Sequence, residues 1–68
     1  MELCQFSRVR VMTNRFKKNG IVKGAIGYII EAYPDGEYEV EVSDKTGTTI
    51  GLVVAKDSDL ELADPVNS

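Results

Sequence analysis

A chain of 68 residues, 43% apolar and 28% charged, has a globular rather than a disordered composition, with room for one domain around one small core. It contains no histidine and a single cysteine, Cys4, which excludes an intramolecular disulfide and Cys/His zinc sites. The net charge of −3 conceals an asymmetry: residues 1–24 carry Arg8, Arg10, Arg15, Lys17, Lys18 and Lys23 against Glu2, whereas residues 25–68 carry Lys45 and Lys56 against ten acids.

Along the chain, residues 1–5 read as an N-terminal extension, residues 6–63 as the domain and residues 64–68 as a frayed polar tail. "RVRVM" (8–12) alternates charge with Val9 and Val11, the period-two signal of a half-buried strand. "TNRFKKNGIVKG" (13–24) keeps no period and reads as a long basic loop, anchored only by Phe16, Ile21 and Val22 and expected to be the most mobile ordered segment. "AIGYIIEAY" (25–33) is an apolar, β-branched run too short for a typical helix, and predicts a central strand. "EYEVEVS" (37–43) alternates cleanly, and "TIGLVVA" (49–55) predicts a fourth strand. "KDSDL" (56–60) predicts one helical turn capped by Asp57 or Ser58, leading into a short "ELA" strand.

Two turns set the expected register. "YPDGE" predicts a type I turn with Pro34 and Asp35 central and Gly36 left-handed, and "DKTGT" a similar turn closed by Gly47. Regular pairing from the first places Glu31 opposite Glu39, Ile29 opposite Glu41 and Ile30 opposite Val40. Regular pairing from the second places Val42 opposite Ile50, Val40 opposite Leu52 and Tyr38 opposite Val54. The expected core is therefore Val9, Val11, Ile26, Tyr28, Ile30, Tyr38, Val40, Val42, Ile50, Leu52, Val54 and Leu60.

The stretch "SDKTGTT" (43–49) is similar to the phosphorylation motif of P-type ion pumps. Thr49 and Ile50 depart from that motif, no helix is predicted to follow, and Asp44 reads as a turn-capping residue. Asp57, Asp59 and Glu61 lack the ligand spacing of a calcium loop and read as a solvated acidic turn. Without histidine, and with carboxylates expected at turns or on an exposed strand face, neither a catalytic pair nor a cofactor is expected. The lone thiol and the lack of any apolar run near ~20 residues lead to the expectation of a cytoplasmic protein without a membrane span.

The segment "VKGAIGYIIEAY" resembles the glycine-centred strand of KOW domains, small SH3-like barrels. The resemblance implies that Gly24 turns the chain into the strand and that Gly27 relieves crowding where it bends. A longer pattern, from about Phe6 to Leu62, is similar to a family of short bacterial proteins classed as a domain of unknown function, which implies an SH3-like shape and no catalytic residue. It also raises an antitoxin-like role beside a toxin protein. The fold expected is all-β: a small, five-stranded antiparallel SH3-like barrel, with a long basic loop after the first strand and a one-turn helix before the last.

Two binding surfaces follow from this reading. The regular register gathers Ile29, Glu31, Tyr33, Glu37, Glu39, Glu41 and Val53 on an outer face, acidic and partly apolar, suited to a protein partner or a second copy of the chain. The alternative is a KOW-like nucleic-acid path along Arg8, Arg10, Arg15, Lys17, Lys18 and Lys23, with Phe16 for base stacking. The acidic balance of the chain opposes the second surface.

Overall fold

Each alternating or β-branched stretch of the sequence becomes a strand in the computed structural model, which describes Leu3 and residues 6–63. The strands are β1 (Arg8–Val11), β2 (Ile26–Ala32), β3 (Glu37–Ser43), β4 (Thr49–Lys56) and β5 (Leu60–Leu62). Single 3₁₀ turns occupy Lys17–Asn19, inside the long loop, and Asp57–Asp59, between β4 and β5. The Asp59 carboxylate accepts the Lys56 N–H at 2.9 Å and so caps the second turn from its far end, in place of Asp57 or Ser58. Cys4 and the tail 64–68 lie outside the described residues, whereas Leu3 is buried in the core.

All five strands form one antiparallel sheet in the order β4-β3-β2-β1-β5. Val53 and Ala55 of β4 and Leu60 of β5 belong to one buried cluster although their strands are the two edges, so the sheet must curl around its own core. Among the described residues the two edge strands do not pair with each other, so the curled sheet is open. The long loop covers the core with Phe16 and Ile21, while Val22 points to solvent.

Both hairpins begin as the turn chemistry dictates. Gly36 and Gly47 adopt φ of 87° and 88°, Tyr33 N–H donates to Glu37 O at 2.8 Å, and Asp44 N–H donates to Thr48 O at 2.9 Å. Each ladder then slips by one residue. Glu31 faces Glu39 as expected, but a bulge between Ile29 and Glu31 pairs Ile29 with Val40 and Tyr28 with Glu41. A second bulge lies between the pairs Ser43–Thr49 and Val42–Gly51, so that Val40 faces Val53 and Glu41 faces Leu52.

A one-residue slip sends every following side chain to the opposite face. The expected core is corrected accordingly. Val9, Val11, Tyr38, Val40, Val42 and Leu60 are buried, but Tyr28, Ile50, Leu52 and Val54 are exposed, and Ile26 and Ile30 are half-buried. Ile29, Val53 and Ala55 take their places inside. Burying a side chain the size of Ile29 contributes about 1.5–3 kcal/mol, so the core determines which register wins.

Gly27 has the role that the KOW resemblance implies. A Cβ there would stand 2.6 Å from Glu41 O and 2.9 Å from Val40 Cγ1, so any side chain would push β2 off β3.

Candidate docking surface

The face of the sheet turned away from the core is built by β3 and its neighbours. Tyr38, Val40 and Val42 point inward, so Glu37, Glu39 and Glu41 point outward. On one side of this acidic row, β2 contributes Tyr28 opposite Glu41 and Glu31 opposite Glu39. On the other side, β4 contributes Leu52 opposite Glu41 and Val54 opposite Glu39. Tyr28 and Val54 are each 46% exposed, Leu52 is 54% exposed, and Ile50 at the bulge adds 42%. Arg8 faces Tyr28 from β1 and extends the row.

Two of these carboxylates, those of Glu39 and Glu41, are held by hydroxyl donors. Tyr33 Oη donates to Glu39 Oε1 at 2.9 Å, and Thr49 Oγ1 donates to Glu41 Oε2 at 3.0 Å. The first bond, aided by desolvation, pushes the Tyr33 phenol above its ordinary pKa. Glu31 opposite Glu39 is a like-charge cross-strand pair, which weakens a sheet unless a cation comes near. The face therefore combines exposed apolar side chains with a row of carboxylates, two of them fixed by hydroxyl donors.

Two residues expected on this face are corrected. Ile29 is fully buried and Val53 is 8% exposed, because the bulges turn both inward; Glu31, Tyr33, Glu37, Glu39 and Glu41 remain outside. The regular register expects Tyr28, Leu52 and Val54 inside, and all three are exposed. The signal for the β4 slip is Gly51, since an isolated glycine within a strand marks a bulge or a close approach.

Of the basic residues, Arg10 and Arg15 are drawn into ion pairs. Arg10 Nη1 meets Glu61 Oε2 at 2.5 Å, and Arg15 meets Asp59 Oδ2 at 2.5 Å. Phe16, expected to stack on bases, is buried, with the Arg15 guanidinium 4.5 Å above its ring. Lys17, Lys18 and Lys23 are exposed on the loop. A depression of about 380 Å³ between this loop and the β3–β4 hairpin is lined by Val22, Ala25, Ile26 and Ile50, together with Lys23, Asp44 and Lys45.

Asp44 itself is a turn cap. Its Oδ1 accepts from Thr46 Oγ1 at 2.7 Å, from Thr46 N–H at 2.9 Å and from Thr48 N–H at 3.0 Å. The Thr46 hydroxyl first, and the backbone N–H groups with it, hold its carboxyl below the ordinary pKa despite some desolvation. Among the described residues, no group of three or more His, Cys, Asp or Glu side chains could hold a metal ion. Among the described residues, no helix is long and apolar enough to cross a membrane.

These features define a small all-β protein, a single curled antiparallel sheet with an acidic and apolar outer face. Over residues 6–62 the chain matches the family described as Domain of unknown function (DUF4926), and it belongs to that family. Neither a curated protein nor a solved structure matches it.

Proposed function

We propose that the protein is a non-catalytic binding module of the cytoplasm that docks a protein partner on the outer face of its sheet. The observation that carries this reading is the row Tyr28–Glu41–Leu52 beside Glu31–Glu39–Val54, where exposed apolar groups alternate with oriented carboxylates. Apolar surface rimmed by one sign of charge favours a partner that is both apolar and basic. The Glu31–Glu39 repulsion gives such a partner's cation an additional gain.

The test is affinity capture from bacterial lysate with wild-type protein and with Tyr28→Ala plus Glu39→Lys, each with and without nuclease. Both substituted positions are outside the core, so the fold should persist. The expected result is a protein partner that survives nuclease and is lost with the double variant. Equal capture by both proteins overturns the reading, and capture abolished by nuclease transfers the function to Lys17, Lys18 and Lys23 of the basic loop.

A further inference from the structure

The two edges of the sheet are protected very differently. β5 is three residues long and carries Glu61, which is bound to Arg10. β4 is eight residues long, pairs among the described residues only with β3, and has no charged side chain from Thr49 to Ala55. Edge strands are ordinarily shortened, charged or interrupted by proline, because their free N–H and C=O groups accept any extended chain. Beyond its bulge at Ile50, β4 carries no charge and no proline before Lys56. It is also where the exposed Leu52 and Val54 lie.

We propose that β4 pairs antiparallel with β4 of a second copy of this chain, joining two sheets into one of ten strands about a two-fold axis at Val53. This goes beyond the docking reading, which concerns the face rather than the edge. Antiparallel pairing of a strand with itself is isologous, so each contact is made twice. Centring on Val53 keeps the inward and outward side chains of both copies in phase. Leu52 then stands beside Val54 of the second copy on the outer face, and Lys56 lies beside Ile50, where its methylene stem covers an apolar side chain.

Charge selects this arrangement over stacking the outer faces together. In edge pairing, Glu41 and Glu39 of the second copy are separated by three strand spacings, ~14 Å, which exceeds the Debye length of ~8 Å at physiological salt. In a stack, sheets ~10 Å apart would point Glu31, Glu39 and Glu41 of the two copies at each other. No like charges face each other across the β4–β4 seam.

The test is molar mass by analytical ultracentrifugation over a dilution series, for wild type, for Leu52→Lys plus Val54→Lys, and for Leu52→Glu plus Val54→Glu. Circular dichroism of each variant controls for folding. The expected result is a concentration-dependent wild-type dimer, two monomeric variants, and a heterodimer when the variants are mixed, since each Lys then faces a Glu. A wild type that is monomeric throughout overturns the proposal, leaving the docking reading to its own capture experiment. A dimer that persists in either variant, or a mixture that stays monomeric, removes β4 from the interface and overturns it equally.

Discussion

Arg15 of the long loop and Asp59 of the turn before β5, separated by 44 positions in sequence, form an ion pair at 2.5 Å. The same carboxylate oxygen takes the Lys56 N–H, so one side chain fastens the loop that covers the core and caps the turn that positions β5. Asp59→Ala should destabilise the fold by about 1–2 kcal/mol, the scale of a lost cap with an orphaned donor. Arg15→Ala should cost less, because its exposed half of the pair is screened by water. Chemical denaturation of the two variants checks the order, and equal losses would mean that the cap adds nothing beyond the ion pair.

The pH dependence follows from the same carboxyl. Partial burial favours its neutral form, but the Arg15 bond and the Lys56 N–H outweigh that and hold its pKa below the ordinary 3.8. Asp44 is lowered as well, through Thr46 and the turn backbone. A depressed folded pKa means that the unfolded chain binds more protons in acid. The stability contributed is thus complete above the unfolded pKa and falls as pH drops through the folded values. Thermal unfolding between neutral pH and pH about 2 should show the loss confined to the region below about pH 4. Asp59→Asn should flatten that loss.

The two bulges make a sharp prediction about inside and outside. Ile29→Ala, at a fully buried position, should cost about 2–5 kcal/mol, whereas Leu52→Ala, measured at dilutions where the chain is monomeric, should stay within about 0.5 kcal/mol. Likewise Val53→Asp should unfold the protein and Leu52→Asp should not. Denaturation midpoints for the four variants measure this. The opposite ranking would restore the regular register, with Leu52 inside and Ile29 outside.

Glycine positions within strands should separate cleanly. Gly27→Ala places a methyl 2.6 Å from the Glu41 carbonyl and should cost about 1–3 kcal/mol by overpacking. At Gly51 the nearest atom is Ile21 Cδ1 at 4.0 Å, an ordinary contact. Gly51→Ala should therefore be neutral or stabilise by up to about 1 kcal/mol through the unfolded state. Melting temperatures of the pair decide whether close approach of β2 and β3 is the reason for Gly27.

Asp44 tests the non-catalytic reading. With its Oδ1 engaged by Thr46 and Thr48, it should remain unmodified when the protein is incubated with magnesium and a nucleoside triphosphate. Intact-mass measurement reads the outcome directly, and a mass gain of one phosphoryl group at Asp44 would contradict the turn assignment.

Local chemistry by itself determined the five strands, both hairpin turns and the inside-outside order of β3. Those features depend on neighbouring residues alone: Gly36 and Gly47 supply the positive φ, and the glutamates of "EYEVEVS" cannot be buried unpaired while its valines and tyrosine can. Tertiary structure decided the faces of β2 and β4, and with them the membership of the outer surface. Ile29 and Ile30, like Val53 and Val54, are adjacent apolar side chains, so exchanging their faces leaves the apolar pattern unchanged, and Gly51 is the one local mark of the slip in β4. The choice falls to whichever register lets Ile29, Val53 and Ala55 fill the space against Val40, Tyr38 and the loop's Ile21 as the sheet curls. Because a bulge shifts parity by one, that single packing choice moved Tyr28, Leu52 and Val54 together from the expected core to the face where a partner would bind.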